Sequence, residues 1–506
     1  MRPIRFATFF SVLILLLTAS GFSNGQEASP QPAAKHVKYK LIDLGTFGGP
    51  ASYFSNGMDG ILNNHGTAVG WANTTTPDPL CNVPNCIATH AFKAHNGEVV
   101  DLGILPGGDV SQAFWISGNG LIAGISQSGQ IDPLVGFPEN RGVLWYDGEL
   151  VDLGILPGGH ESLALAVNNR GQVVGFGFNS VPDPISITGF PTQTRALLWQ
   201  DGVIKDLGTL GGPDAIAAGI NNQGEVFGFS YTPVDPTTGF PSIHPFLWRN
   251  GTMLDVGSLG GTDSEPNAMN ESGEVVGFST LAGDTVTHPF VWRKGNIQDL
   301  GTLGGRNATA RWINNRGEII GRADLAGPAP QDHDGVLWTK GETIDLGTLP
   351  GDACSNAYFI NSRGQIVGTS ENRDLCHIAV GEHAFLWEQG NMIDLNTLIP
   401  PGAELQLTYA VAINDKGEIA GFGVPPGCAV QDYEVCGHAY MLLPCAEDDE
   451  CINVNSGARN SMVAVPTVPQ GSPNALTNLP ANQWKRFGIP HGQGVHLPER
   501  SVPHSE

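Results

Sequence analysis

Asp299-Leu300-Gly301-Thr302-Leu303-Gly304-Gly305, followed shortly by Ile313-Asn314-Asn315-Arg316-Gly317-Glu318-Ile319-Ile320-Gly321, is the passage whose reading decides the fold. The first stretch is a strand end running into a glycine-rich turn. The second is an apolar residue, Asn, a Gly turn and a β-branched run closed by Gly, which is the pattern of a tight hairpin between two strands. Both recur along the chain. Asp-Leu-Gly or a near variant begins at Asp43, Asp101, Asp152, Asp206, Asp255, Asp299, Asp345 and Asp394, in steps of 58, 51, 54, 49, 44, 46 and 49. A period near 50 belongs to propeller-type or solenoid arrays. Copies of the Asn-turn-Gly element begin at Leu62, Val167, Ile220, Met269, Ile360 and Ile413, with a degenerate copy ending at Gly124.

A third element keeps step with these two. It is an aromatic strand ending in Trp, as in His244-Pro245-Phe246-Leu247-Trp248, His288-Pro289-Phe290-Val291-Trp292 and His383-Ala384-Phe385-Leu386-Trp387. Asn250-Gly251, Asp201-Gly202 and Asp147-Gly148 follow such strands and supply the positive φ angles of a two-residue turn. Each repeat therefore reads as four short strands. Strand a ends at Ile-Asn, b is the Gly-x-Val-Val-Gly run, c is the His-x-Phe-x-Trp element, and d runs into Asp-Leu-Gly. No sustained 3.6-residue apolar period follows the amino terminus, so the core is expected to be nearly free of helix.

The chain ends complete the pattern. It opens with an isolated d strand, Tyr39 to Gly45, and closes with an isolated c strand, His438 to Leu443. Eight four-stranded units are complete only if the first strand joins the last unit. An open solenoid would instead need capping repeats. The expected fold is all-β: an eight-bladed β-propeller of four-stranded blades over 39–443, its ring closed by the N-terminal strand.

The His-Ala-Phe strand, with Asp-Leu-Gly-x-Leu-Gly-Gly and Ile-Asn-x-x-Gly-x-x-x-Gly, resembles the HAF repeat of bacterial extracellular repeat proteins. His-Ala-Phe stands at His90-Ala91-Phe92 and His383-Ala384-Phe385; His-Pro-Phe replaces it twice, and Arg141, Arg195 and Asp334 replace the histidine elsewhere. The resemblance covers nearly all of 39–443. It implies export and repetition but no particular chemistry.

Compartment follows from the two termini and the cysteines. Arg2 and Arg5 precede an apolar run from Phe6 to Leu17 and small residues to Gly25, the layout of a signal peptide over 1–25, with 26–38 as a linker. Cleavage after Ser20 or Gly25 fits. Eight cysteines in an exported chain read as disulfides. Proximity favours Cys81–Cys86, Cys354–Cys376, Cys428–Cys436 and Cys445–Cys451. Residues 444–506 comprise a disulfide loop and a tail rich in Pro, Ser, Asn and Gly, expected to be disordered. The protein is expected to be secreted, extracellular or periplasmic, with no integral membrane span once the leader is removed.

Composition narrows the partners. With 25 basic and 49 acidic residues the net charge is 25 − 49 = −24, which repels nucleic acid and anionic membrane surfaces. The 68 glycines and 36 prolines suit a turn-dense fold. Length varies mainly in the b–c links, so binding is expected on the face shared by the b–c and d–a loops. The d–a loops carry Asp109, His160, Glu161, Asp214, Asp263, Glu265, Arg306, Asp352 and Glu404, a set able to bind a cation such as calcium or a hydroxylated ligand. The repeated His90, His244, His288, His383 and His438 are expected to cap strand c, since blade spacing holds them too far apart for one metal. Trp145, Trp199, Trp248, Trp292, Trp338 and Trp387 read as packing between blades. Cys445 to Cys451 encloses an acidic turn that lacks the Asp-x-Asp-x-Asp-Gly calcium pattern.

Quinone-docking, sialidase, Gly-x-Ser-x-Gly, His-Glu-x-x-His and phosphate-loop signatures do not occur in the sequence. A binding or surface-interaction module, monomeric and with a glycan or protein ligand, is the function expected ahead of catalysis. The alternatives are a glycan-active hydrolase or lyase using paired carboxylates, or a purely structural envelope protein.

Overall fold

The computed structural model describes residues 37–55, 60–78, 86–327, 332–372, 376, 382–445 and 451, all within one compact unit, Val37–Glu506. The leader, Cys81, the acidic residues 446–450 and the tail 452–506 lie outside the described residues. The protein is all-β, with many four-stranded antiparallel sheets. Among the described residues there are six of these, and one eight-stranded sheet in which two such units are joined by a single parallel pairing, Ile243 with Asp263. Among the described residues, helix is limited to one short turn, Tyr433–Cys436, two 3-10 turns and the helical residue Cys376.

Each repeat folds in the expected order. In the copy quoted above, strands Gly304–Ile313, Ile319–Leu325, His333–Thr339 and Glu342–Asp345 pair as neighbours a-b-c-d. Among the described residues, no d strand follows the last c strand, His438–Pro444. Tyr39–Asp43 takes that place, pairing antiparallel with His438–Pro444 from Tyr39 opposite Pro444 to Asp43 opposite Tyr440.

The c–d turns are two-residue hairpins. Asn96, Asp147, Asp201 and Asn250 adopt positive φ before a glycine as their residue types invite, and Lys294, Lys340 and Gln389 do the same without that preference. The a–b turn is governed by its asparagine. Asn314 Oδ1 accepts from the main-chain N–H groups of Arg316 and Glu318, and its Nδ2 donates to Glu318 Oε2 and to the carbonyl of Asn361 in the next unit. Asn361 donates in turn to Asn414 O, Asn414 to Asn63 O, and Asn63 to Ser117 O. The remaining links run from Asn119 to Asn169, Asn168 to Asn221, Asn222 to Glu271 and Asn270 to Asn314. Hydrogen bonds thus pass from every a–b turn to the next and return to their start.

The glycine that ends each b run has a different cause. A Cβ at Gly321 would fall on the carbonyl oxygen of Thr309, and one at Gly175, Gly228, Gly277 or Gly368 on the equivalent oxygen of its own a strand. A bulge brings that carbonyl close. Thr309, Ala310, Trp312 and Ile313 pair with b while Arg311 is left over, and the same slip leaves out Phe114, Leu165, Ala218, Asn267, Tyr358 and Val411. The degenerate copy ending at Gly124 obeys the same rule, against Gln112 O.

Packing joins successive units. Strand a of each sheet lies against b and c of the sheet before it. The apolar clusters form between them, as where Val276 and Val291 meet Ala308 and Ala310. Trp145, Trp199, Trp248, Trp292 and Trp338 are buried in these layers, as expected of packing residues. Serines cross the seam: Ser162 Oγ accepts from Gly142 N and donates to Gly154 O, and Ser355 repeats the arrangement with Gly335 and Gly347.

The long b–c links are not simple loops. Three of them extend as hairpins, Thr67–Pro77 with Ile87–His95, Ile122–Ile131 with Pro138–Tyr146, and Val173–Pro182 with Thr192–Gln200. Each resumes pairing after a register shift, which lets the two chains stay antiparallel beyond the body of the sheet. Disulfides Cys354–Cys376, Cys428–Cys436 and Cys445–Cys451 match the pairing that proximity favoured, and Cys86 is also disulfide-bonded. No helix among the described residues is long and apolar enough to cross a membrane.

Candidate functional site

The repeated histidines belong to the scaffold. His90, His244, His288 and His438 each place Nδ1 against the aspartate of the d strand beside them, Asp101, Asp255, Asp299 and Asp43, at 2.7, 3.0, 2.7 and 3.0 Å. The same aspartates accept from the main-chain N–H two residues on, as Asp299 does from Gly301. Burial pulls the Asp255 carboxyl upward, but the hydrogen bond and charge of His244 and the Gly257 N–H outweigh it and hold it below the usual range. Arg195 serves as His does, with Nε 2.9 Å from Asp206. Asp334, also in the histidine's place, has Asp345 beside it; burial, then the charge and hydrogen bond of Asp345, push its carboxyl up to about 7.

His383 departs from this rule. Asp394 of its own d strand is followed by Leu395-Asn396 in place of Leu-Gly, and Asn396 donates both its main-chain N–H and its Nδ2 to Asp394 Oδ1. His383 turns instead to Asp352, Nδ1 to Oδ2 at 3.1 Å. Asp352, Glu382 and His383 offer ligand atoms all within 4.8 Å of one another, and all three are half-buried. Glu382 Oε2 accepts from Asn372 Nδ2. A second grouping, His333, Cys354 and Glu371, cannot ligate through sulfur, because Cys354 is bonded to Cys376. Glu371 lies in the interior at 0% exposure, and burial first, then the charges of Asp352 and Glu382, push its carboxyl up to about 8.

The other residues expected from sequence are spread among several environments. Asp214 is fully buried and anchors the preceding b–c hairpin by accepting from Ile187 N and Thr194 N at 2.5 and 2.8 Å; burial pushes it up to about 6. Glu161, 1% exposed, accepts from Asn140 Nδ2. Burial, with Asp132 and Glu139 nearby, pushes it up to about 8. His160 Nδ1 lies 3.5 Å from Glu139 at the edge of that cluster. Glu265 is held well above the ordinary carboxyl range by burial and by the Asp263 charge. The main-chain N–H of Asp109 donates to Gln127 Oε1, exposed Arg306 donates to Thr285 O, and Glu404 is exposed. Of the nine, Asp352 alone takes part in a cluster of metal-ligand spacing among the described residues.

One feature of the loop face escaped the sequence reading although its signal is plain. Asp132-Pro133, Asp183-Pro184 and Asp235-Pro236 each open a b–c tip that runs on to Gly136-Phe137, Gly189-Phe190 and Gly239-Phe240. Each aspartate accepts from the N–H two residues on, at Leu134, Ile185 and Thr237. Phe137 and Phe190 turn inward onto an aromatic cluster with Phe176 and Phe178. Phe240 does not and stays exposed; the next b–c link, Ala282–Val286, is short. Phe240 is 55% and Val234 49% exposed, and Leu134, Val181 and Ile185 are exposed on the neighbouring tips.

No family model matches the chain, and no curated protein matches its sequence. Among solved structures, the β-propeller domain of the Trilobed protease from Pyrococcus furiosus shares 9% identity with a TM-score of 0.41, over 71% of this chain and 95% of its own. Dipeptidyl peptidase 4 from Porphyromonas gingivalis shares 9% with a TM-score of 0.42, over 70% of this chain and 56% of its own, so the chain spans little more than half of that protein. TolB from Acinetobacter baumannii shares 11% with a TM-score of 0.29, over 66% and 78%.

Proposed function

We propose that this chain is an exported, HAF-type repeat protein folded as an eight-bladed β-propeller closed by its N-terminal strand, and that it works as a binding module for a protein partner. The asparagine circuit from Asn414 back to Asn63 supports closure, and the disulfides suit an oxidising compartment. The observation that carries the binding role is the row of apolar side chains on three b–c tips of one build, Leu134, Ile185, Val234 and Phe240. A scaffold that satisfies its own histidines and asparagines has no structural need to expose Phe240, whereas a partner surface does.

Catalysis has one feature in its favour, a carboxyl raised well above its ordinary value within an acidic cluster, as in Glu161 near Asp132 and Glu139. Glu161 is closed from solvent, however, and a general acid must reach its substrate. The test is saturable binding of fluorescently labelled protein to the surface of producing cells. Binding lost in Val234→Asp/Phe240→Asp and kept in Val203→Asp, an exposed site on a d strand, supports the reading. Equal binding by all three sinks it.

A further inference from the structure

We infer that Asp352, Glu382 and His383 form a binding site for a divalent transition-metal ion of the zinc or cobalt class. The geometry comes close to what such an ion requires. Donors around a tetrahedral ion with bonds of about 2.0–2.1 Å sit about 3.3 Å apart. Asp352 Oδ2 and His383 Nδ1 are 3.1 Å apart, and the Glu382 carboxylate lies within 4.8 Å of both. Side-chain adjustment within that spread would bring the three protein ligands onto one ion.

The neighbouring repeats set this site apart from a mere acidic cluster. The histidines at 90, 244, 288 and 438 each bond the aspartate of the adjoining d strand and meet a single carboxylate. In this repeat alone Asn396 takes over the d-strand aspartate, Asp394, and the histidine is released to a place where two carboxylates converge. The surroundings are built to hold them there. Asn372 donates to Glu382 Oε2, the arrangement by which outer groups orient a ligating carboxylate. Cys376 is tied to Cys354 and donates its N–H to Asn372 O, fixing Asn372 in turn.

Ligand type selects the ion. Calcium prefers six to eight oxygens and gains little from an imidazole, whereas imidazole with carboxylates suits zinc and its neighbours. The site does not depend on the apolar docking face, so either reading can fail without the other.

The experiment is titration of EDTA-stripped full-length protein with Co2+, followed by visible absorption, and with Zn2+ and Ca2+, followed by calorimetry. One Co2+ per chain, displaced by Zn2+, with Ca2+ silent, is expected. His383→Ala and Asp352→Asn should each weaken Zn2+ binding by at least about tenfold, while His288→Ala binds as the parent does. Circular dichroism of each variant separates lost ligation from lost folding. Zn2+ binding unchanged in both site variants, or none in the folded parent, overturns the inference.

Discussion

Asn414 donates its side-chain amide to the main-chain carbonyl of Asn63 at 3.0 Å, across 351 residues of sequence. The bond is one of several on that side chain, whose Oδ1 also accepts from Lys416 and Glu418 N–H groups while Nδ2 reaches Glu418 Oε2. Replacing Asn414 by Ala strands the Lys416 and Glu418 N–H groups and leaves the Asn63 carbonyl with the Gly66 N–H alone, beside a buried position. Each unmade buried bond costs about 1–3 kcal/mol, so Asn414→Ala is expected to lose about 2–4 kcal/mol in urea denaturation. Deleting residues 37–45 should be worse, because it removes a paired strand carrying buried Tyr39, Leu41 and Ile42. A deletion variant that melts with the parent would mean the first strand is dispensable and the units do not close.

Gly321→Ala tests the bulge geometry. The glycine is not needed for a positive φ; it is needed because Thr309 O occupies the space of a Cβ. The sheet must part locally to admit the methyl, at a cost of about 1–3 kcal/mol or more. Gly341, in contrast, has open space but positive φ, so Gly341→Asn should be tolerated where Gly341→Val is not. Equal stability of Gly321→Ala and the parent would show that the a strand is not held in the bulged register.

Much of this was legible because the repeat is read eight times. Strand order, turn type and the exchange of the first strand follow from Asp-Leu-Gly, Asn-turn-Gly and the two chain ends. The role of the histidines was half visible: capping strand c was expected, and the partner stands 11 residues on from His90, His244 and His288, while His438 takes Asp43 of the first strand. What sequence could not supply was which copy breaks the rule. Asn396 in place of Gly is a single substitution, and its consequence for His383 depends on two hydrogen bonds to Asp394 that only coordinates reveal. The carboxylates expected to ring one mouth are instead divided, since Asp214 anchors a hairpin and Glu161 is sealed under one, while Glu404 stays in solvent. Burial depends on neighbours brought from the adjoining repeat, and period alone does not encode it.

Cys354–Cys376 closes the segment that leads to His383, with a sequence separation of 22. Constraining a loop of that size in the unfolded chain is worth about 3 kcal/mol on the chain-entropy account. Cys354→Ser/Cys376→Ser is expected to melt lower than the parent under oxidising conditions and to match it once both are fully reduced. A difference that persists after reduction would show that the serines, buried in place of sulfur, and not the lost bridge, cause the change.

Glu161 makes the pH dependence of stability predictable in sign. Its carboxyl is pushed up to about 8 from the ordinary 4.5, chiefly by burial. The folded protein therefore binds a proton more tightly than the unfolded chain, and stability must fall as pH rises between those two values. Glu371 at about 8, Asp334 at about 7 and Asp214 at about 6 act in the same direction. Glu161→Gln keeps an acceptor for Asn140 Nδ2 and removes the charge. It should match the parent near pH 4 and exceed it above about pH 8, by up to about 5 kcal/mol if the whole shift is realised. Urea midpoints measured across that range decide the matter: two parallel curves would mean that Glu161 is ionised in the folded protein at neutral pH and that water or a cation reaches its carboxylate.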